Sequence, residues 1–440
     1  MRLPLLSTRV PALAIAVFVN ERGAAYSGEI LDEFLISQST PRPQRADLRR
    51  LGIQFVEKGP WIVLRGPFAF DPSLGVQLDT AGINEVTLAV PWERDDSGND
   101  ILRPGPVGEY VEVVDHDPAS GCFYEPIDLN DDAIVAQDGL QPSESNPQFH
   151  QQMVYAVTMR TIRNFERALG RLALWSPRRR TVRDHVTEEY VPRLRIHPHA
   201  LREANAYYSP AKKALLFGYF PAATAGDGVG ATPLTVFTCL SHDIVAHEVT
   251  HALLDGIHRR FNESSNLDVL AFHEAFADIV ALFQHFSLPE VLRHQIAATR
   301  GDLASQNRLG ELAQEFGQAI GKRGALRSAI GAFDEVTGRW QPREPNPDDY
   351  ARLTEPHDRG AILVAAVFDA FLTIYKARIA NLLRIASEGT GVLPAGQLHP
   401  DLINRHSSVF KTKAQEVRVP APDSPQAQPP PALVLGRGEL

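Results

Sequence analysis

His247, Glu248 and His251 form the pattern H-E-x-x-H, in which two histidines stand four residues apart and a glutamate follows the first. On an α-helix, residues i and i+4 share one face with Cβ atoms about 6 Å apart, so both imidazoles can reach one metal ion. Glu248 is rotated by about 100° from His247, which leaves it near that metal and free to act as a base. The pattern therefore predicts a metal site, and a helix carrying two hydrogen-bonded histidines is the plain alternative.

The residues around this pattern favour a helix over about 241–255. Ser241 and Asp243 can cap its start, because short polar side chains accept hydrogen bonds from the first free N–H groups of a helix. Apolar residues supply the contacts that such a helix needs with a core: Ile244, Val245, Val249, Ala252 and Leu253. We therefore expect both histidines to lie on one face of a packed helix.

A catalytic zinc site usually has three protein ligands and one position left for water, so the chain should offer a third ligand. Glu274 stands 23 positions after His251, and Asp278 follows one helical turn later. Two antiparallel helices joined by a loop would bring Glu274 back beside the histidines. Asp278 could then accept the free N–H of one ligand histidine, which fixes the tautomer of the ring.

A carboxylate on a helix most often lies on a solvated face. The neighbours of Glu274 and Asp278 are instead largely apolar: Leu267, Leu270, Phe272, Phe276, Ile279, Val280 and Leu282. Buried acids in such company need a positive partner, and a metal ion supplies one.

Together these segments resemble the thermolysin-like zinc metallopeptidases of the gluzincin group. The similarity runs from about Gln148 to Ala370 and includes the segments 245–252, 262–264 (Asn-Glu-Ser) and 274–278. The resemblance implies one catalytic Zn²⁺ and a peptide or protein substrate. It also implies a role for each motif residue: His247, His251 and Glu274 as zinc ligands, Glu248 as the general base, and Asp278 as the partner of a ligand histidine.

Three further segments extend the resemblance. Asn205 and Ala206 look like the start of the edge strand on which this family lays the substrate backbone, and the unpaired groups of an edge strand suit that use. Arg327 resembles an arginine that holds a substrate carbonyl, although Arg339 and Arg343 compete for that assignment. His357 opens a long helix, as the catalytic histidine of the family does, where an imidazolium could stabilise an oxyanion. A surface cap is the alternative for such a histidine.

The chain also departs from the pattern of the family. A tyrosine that assists the oxyanion usually precedes the Asn-Glu-Ser segment, but Arg260 occupies that position here. An arginine could do the same electrostatic work, or it could face solvent. Leu240 and Ser241 stand where paired glycines often precede the zinc helix, and the chain becomes Pro-rich soon after residue 406.

The implied fold class is α+β, with four regions along the chain. Residues 1–145 read as β-rich and would be either a pro-segment or an accessory domain. Residues 146–255 would form a mixed α/β catalytic lobe that ends in the zinc helix, and residues 256–406 a mainly helical lobe. Residues 407–440 read as a disordered tail, because six prolines fall within 420–431.

Hydrophobic spacing predicts the main elements of these regions. Strands are expected at 53–56, 61–64, 86–90, 110–114, 190–196, 204–208 and 213–220. Helices are expected at 147–169, 265–286, 289–298, 302–320 and 359–386. Ser209 to Lys212 should form the turn of a hairpin that joins the strands at 204–208 and 213–220.

Composition restricts the partners. A length of 440 residues with 44% hydrophobic side chains describes a globular protein of two or three domains. The net charge of −9 argues against nucleic acid or an anionic membrane as the main partner. Arg178–Arg180 is the one compact basic run and is expected to be a solvated loop. The oligomeric state leaves no mark in the sequence.

The two cysteines, Cys122 and Cys239, are too few for a disulfide-dense scaffold or a cysteine-based zinc ribbon. No uninterrupted apolar run reaches the length of a membrane span, so none is expected. Residues 10–19 form a short apolar run after Arg2 and Arg9, which makes a secreted protein the alternative to the favoured cytoplasmic location.

Acidic loops at Asp95-Asp96 and Asn130-Asp131-Asp132 could hold Ca²⁺, but neither has the spacing of an EF-hand, and solvated turns are the better interpretation.

The sequence thus predicts a zinc metalloendopeptidase in which Glu248 activates water. Two alternatives stay open. One is a zinc aminopeptidase or another zinc hydrolase, although the chain has no G-x-M-E-N-like acidic segment to bind a free amine. The other is a binding or scaffold protein whose site no longer catalyses a reaction.

Overall fold

The computed structural model describes residues 61–69, 72, 85–94, 99–182, 185–221, 235–299, 331–333, 340–342, 346–390, 393 and 398–408. Several expectations lie outside these residues: the apolar run at 10–19, the strand at 53–56, the acidic pair at 95–96, the helix at 302–320, Arg327, Arg339, Arg343 and the tail beyond residue 408. The described residues form a mixed α/β structure with one five-stranded sheet and several helices.

The strands are β1 (Trp61–Phe68), β2 (Glu85–Pro91), β3 (Val111–Val113), β4 (His116–Asp117), β5 (Cys122–Phe123), β6 (Arg178–Val182), β7 (His185–Glu189), β8 (Leu194–Leu201), β9 (Ala206–Ser209), β10 (Ala214–Pro221), β11 (Thr235–Phe237), β12 (Gly331–Phe333) and β13 (Trp340–Pro342). The helices are α1 (Asp132–Ala136), α2 (Pro147–Leu169), α3 (His242–Ile257), α4 (Leu267–Phe286), α5 (Pro289–Thr299), α6 (Pro347–Arg352), α7 (Pro356–Ala386) and α8 (Pro400–Ser408).

The main sheet has the order β11-β10-β8-β3, with β9 also paired to β10. β8 runs parallel to both β3 and β10, whereas β9 and β11 are antiparallel to β10. The pairing of Ser209 with Ala214 closes the predicted hairpin between β9 and β10. β9 has one strand partner among the described residues, so it lies at an edge of the sheet.

The basic run Arg178–Arg180 is part of strand β6 and not of a loop, so the prediction was wrong. β6 pairs with β7, and Arg178 and Arg179 face Glu189 and Glu188 across the hairpin, whereas Arg180 faces Thr187. Arg179 lies 3.0 Å from Glu188 and Arg180 lies 3.4 Å from Glu189, measured between side-chain nitrogen and oxygen. Opposite charges on facing positions stabilise a strand pair, an effect that composition within the run itself does not reveal.

The strand expected at 190–196 begins later and is longer, because β8 covers Leu194–Leu201. Pro192 has no N–H to donate to a ladder, which favours a connecting segment before the strand.

The long helix α2 has the predicted bounds. Asn146 caps it by accepting the N–H of Gln148, Pro147 occupies the first turn, and Gly170 ends it in the left-handed conformation with φ 66°. Its buried side chains join the central core, and it packs against β1, β2 and α3. β3 pairs with β8 in the same sheet, so both the sheet and the core cross the boundary expected at residues 145 and 146.

Helix α4 packs between α3 and α7 and connects the candidate site to the rest of the helices. Gly360 allows α7 to approach α4 closely, because a Cβ atom at this position would lie 2.7 Å from the backbone oxygen of Ala271. Within the described part of the chain, α7 alone is long and apolar enough to cross a membrane by length and composition. Charged residues such as Asp369 interrupt it, which is why no uninterrupted apolar run is present in the sequence.

Candidate metal centre

Helices α3 and α4 bring three donor atoms of the predicted ligands together. The Nε2 atoms of His247 and His251 lie 3.0 Å apart. Oε2 of Glu274 lies 3.2 Å from Nε2 of His247 and 3.4 Å from Nε2 of His251. The i, i+4 spacing on α3 sets the first distance, and the packing of α4 against α3 sets the other two.

The Nδ1 atom of each histidine contacts a residue outside the three predicted ligands. Nδ1 of His247 lies 2.9 Å from Oδ1 of Asp278, which is the contact expected from the position of Asp278 one turn after Glu274. Nδ1 of His251 lies 2.6 Å from Nδ1 of His273. His273 was not predicted to take part, and its only signal in the sequence is that it directly precedes Glu274. Burial, followed by the charge of His251, lowers the pKa of His273 to about 3.

These contacts fix which nitrogens could bind a metal. Asp278 can accept a hydrogen bond from the Nδ1–H of His247, and neutral His273 can accept one from the Nδ1–H of His251. In the neutral rings both Nε2 atoms then carry lone pairs. Two lone pairs and a carboxylate oxygen then face one point, which is unfavourable unless a proton or a metal ion lies among them. Bonds of about 2.0–2.1 Å in tetrahedral geometry place the ligand atoms about 3.3 Å apart. The observed spacings of 3.0, 3.2 and 3.4 Å fit a zinc ion.

The charged groups of the cluster shift one another's pKa values. Burial by itself would lower the pKa of His247, but Asp278 and Glu274 outweigh it and raise that pKa well above its usual value. Burial would raise the pKa of Glu274, but His247, His251 and His357 hold it far below its usual range. Glu274 is therefore a carboxylate, the form that binds a cation.

Glu248 is a further carboxylate beside the two histidines, and the three residues together could hold a metal ion. One of its oxygens lies within 4.8 Å of a ring nitrogen of each histidine, and its side chain is buried. Oε2 accepts the backbone N–H of Tyr208 on β9 at 2.8 Å. Burial raises the pKa of Glu248, and the two histidines oppose that effect. A buried, oriented carboxyl with a raised pKa is suited to accept a proton and release it.

His357 reaches the cluster from the first turn of α7. Its Nε2 lies 3.2 Å from Oε2 of Glu274, and its Nδ1 lies 2.9 Å from Oε1 of Glu355, the residue that caps α7. The contact with Glu274 is the main cause that raises the pKa of His357 to about 9. The raised pKa favours the imidazolium form of the ring, and Glu355, which the sequence did not indicate, holds its Nδ1.

The predicted substrate strand lies next to this site. Asn205 directly precedes β9, and its carbonyl accepts the N–H of Gly218, while its side-chain oxygen accepts the N–H of Ala206. Tyr208 differs from the expectation of free edge groups, because its N–H is bound to Glu248.

A buried contact outside the predicted residues holds this strand against α3. Asp255 accepts the hydroxyl of Tyr208 at 2.7 Å and lies 2.8 Å from Nζ of Lys213. β9 is thus fixed to α3 at two points, the carboxyl groups of Glu248 and Asp255.

Arg260 lies in a 3-10 turn at Arg259–Asn262 and is exposed. Within the described part of the chain, its side chain makes no hydrogen bond or ion pair with His247, His251 or Glu274. The structure therefore does not bring it to the cluster, and Arg327 lies outside the described residues.

The acidic loop at 130–132 has its own contacts. Asp131 caps α1 by accepting the N–H groups of Ala133 and Ile134, and the side chain of Asn130 donates to the carbonyl of Leu102. These hydrogen bonds give the loop a structural role as the cap of α1.

No protein-family model, no curated protein and no solved structure matches this chain. The function must therefore be inferred from its own residues and their geometry.

Proposed function

We propose that this chain is a zinc-dependent endopeptidase with the thermolysin-like two-lobed architecture that the sequence motifs imply. One observation carries the proposal: the donor atoms of His247, His251 and Glu274 lie 3.0–3.4 Å apart, with Glu248 directly beside them. Two imidazoles and one carboxylate are the ligands of several catalytic zinc sites, and they leave one position for water.

His247, His251 and Glu274 would hold the ion. Bound zinc supplies Lewis acidity, which lowers the pKa of water towards neutrality and polarises a carbonyl group. Glu248 accepts the proton of the attacking water and then donates it to the leaving amine nitrogen. The hydrogen bond from Tyr208 keeps the carboxyl of Glu248 in place for both transfers.

The remaining residues act on the substrate. Both ring nitrogens of His357 contact carboxylates, Nε2 that of Glu274 and Nδ1 that of Glu355. A turn of Nε2 from Glu274 towards the substrate would let the ring donate a hydrogen bond to the oxygen that becomes negative as the carbonyl is attacked. β9 is an edge strand beside Glu248, and an extended peptide can add to such an edge through main-chain hydrogen bonds. The N–H groups of Ala206 and Tyr208 would then have to leave Asn205 and Glu248 to donate to the peptide. Such main-chain pairing suits the interior of a peptide and does not require a free amino terminus.

The variant Glu248→Gln tests the proposal. It keeps the shape of the side chain but cannot accept a proton, so hydrolysis of a denatured protein should fall by about 10²–10⁴-fold. Zinc content, measured by elemental analysis, should not change. Glu290→Gln, an exposed change on α5, is the matched control and should leave the rate unchanged.

Undiminished hydrolysis by Glu248→Gln would contradict the role of Glu248. Loss of zinc from this variant would instead show that Glu248 is a ligand and not a base.

A further inference from the structure

A second buried cluster, which we call the His150 cluster, consists of His150 on α2, His199 on β8 and Cys239. Cys239 lies in the 3-10 turn Thr238–Leu240, immediately before α3. One ring nitrogen of each histidine and Sγ of Cys239 lie within 4.8 Å of one another. All three residues are at least 98% buried, so any ion among them would be shielded from solvent.

The outer nitrogen of each ring has an oxygen partner. Nδ1 of His199 lies 2.6 Å from Oδ1 of Asp115, and Nε2 of His150 lies 3.1 Å from the carbonyl oxygen of Glu144. Asp115 is oriented in turn by Gln151, which donates to its other oxygen at 2.9 Å. A carboxylate or carbonyl on the outer nitrogen of a histidine is the usual arrangement around a metal ion.

These partners create a conflict at the centre of the cluster. If both outer nitrogens donate, Nδ1 of His150 and Nε2 of His199 both carry lone pairs, yet these two atoms lie only 2.8 Å apart. If either ring instead carries its proton on the inner nitrogen, its outer nitrogen has a lone pair that faces an acceptor oxygen, the carbonyl of Glu144 for His150 or the carboxylate of Asp115 for His199. An additional proton or a metal ion resolves it, and the sulfur of Cys239 beside both rings favours the metal.

We propose that His150, His199 and Cys239 form a second metal site, which holds a thiophilic transition-metal ion such as Zn²⁺ as a structural ion. Two nitrogens and one sulfur supply three of the four ligands of a tetrahedral zinc ion, or all three ligands of a trigonal copper(I) ion. Binding deprotonates the thiol of Cys239, and the proton passes to solvent. The site does not depend on the proposed peptidase activity, because it shares no residue with it.

The ion would join three parts of the fold. It would connect the long helix α2, the central strand β8 and the turn that leads into α3. Because α3 carries His247, Glu248 and His251, the second ion would fix the start of the helix on which the candidate catalytic residues lie. The ring of Phe237 covers the cluster, with its centroid 4.7 Å from that of His150 and 5.5 Å from that of His199.

Cobalt substitution tests this proposal, because Co²⁺ bound to a thiolate gives a charge-transfer band in the near ultraviolet. The full chain, stripped of metal and reloaded with Co²⁺, should show that band, since His247, His251 and Glu274 supply no sulfur. Elemental analysis of the native protein should find about two metal ions per chain and should distinguish zinc from copper. Cys239→Ser should lose the band and about one metal ion per chain.

Cys122→Ser is the matched control, because Cys122 is exposed and should leave both band and metal content unchanged. A wild-type protein that binds cobalt without a thiolate band would overturn the proposal, even if Cys239→Ser fails to fold. The same conclusion would follow if a folded Cys239→Ser retained the band or both ions.

Discussion

The His150 cluster and the cluster formed by His247, His251 and Glu274 both place two imidazoles nitrogen to nitrogen, at 2.8 and 3.0 Å. They differ in what completes the set. The cluster of His247, His251 and Glu274 has a carboxylate whose side chain is 21% exposed, and His357, whose side chain is 35% exposed, contacts that carboxylate. The His150 cluster has instead the buried sulfur of Cys239, and the ring of Phe237 covers it.

The difference shows that histidine pairing by itself does not determine the use of such a site. A metal ion needs an open position and a nearby base to carry out hydrolysis, and the cluster on α3 offers Glu248 for that purpose. The His150 cluster is closed, and its one carboxylate, Asp115, is occupied by His199 and Gln151. On the two proposals made above, solvent access and a carboxyl group beside the ion would distinguish the catalytic site from the structural one.

The largest expected effect that separates the two clusters is on kcat, and it comes from His357, which contacts only the cluster of His247, His251 and Glu274. His357→Gln removes the imidazolium at the oxyanion, so kcat should fall by about 10²–10³-fold while zinc content stays constant. His399→Gln, with a side chain 70% exposed, is the control and should have no effect.

The pH profile of the same variant gives an independent check. Contacts with Glu274 and Glu355 raise the pKa of His357, and a zinc ion on Glu274 would offset part of that rise, so the ring should lose its charge on the alkaline side of its usual pKa. The activity of the wild type should therefore fall on the alkaline side, and His357→Gln should lack this decline. An unchanged kcat together with an unchanged pH profile would remove His357 from the mechanism.

A smaller effect, on metal affinity, is expected when the carboxylate that contacts a histidine of each cluster, Asp278 or Asp115, is replaced. Asp278→Asn and Asp115→Asn each weaken the acceptor that orients one histidine, so each should lower metal affinity about 10–100-fold at its own cluster. Titration with a competing chelator, with cobalt spectra to identify the site, measures both. If either substitution weakened binding at the opposite cluster instead, the two sites would not be separate.

The longer helices could be predicted from the sequence because their signals are local, whereas the short helices α1, α6 and α8 were not predicted. Asn146, Pro147 and Gly170 define α2 within a single stretch, and the histidine spacing on α3 needs no information from elsewhere. Glu274 and Asp278 could also be predicted, because they lie one helical turn apart on α4, the helix that follows α3 along the chain.

The errors and omissions involve partners that are distant in the chain or belong to another element. We predicted a loop at Arg178–Arg180 because the residues that stabilise it as a strand lie on β7, outside the run itself. His150, His199 and Cys239 come from a helix, a strand and a turn, and only the folded sheet brings them together. Glu355 and His273 carry no recognisable motif, so their contacts with His357 and His251 were not predicted.

Incubation of the zinc-loaded protein with a peptide blocked at both ends, followed by mass spectrometry of the products, tests the central claim most directly. We predict cleavage at internal bonds by the wild type, complete loss after zinc is removed by a chelator, and no products from Glu248→Gln. An intact peptide in the presence of stoichiometric zinc at His247, His251 and Glu274 would contradict the account.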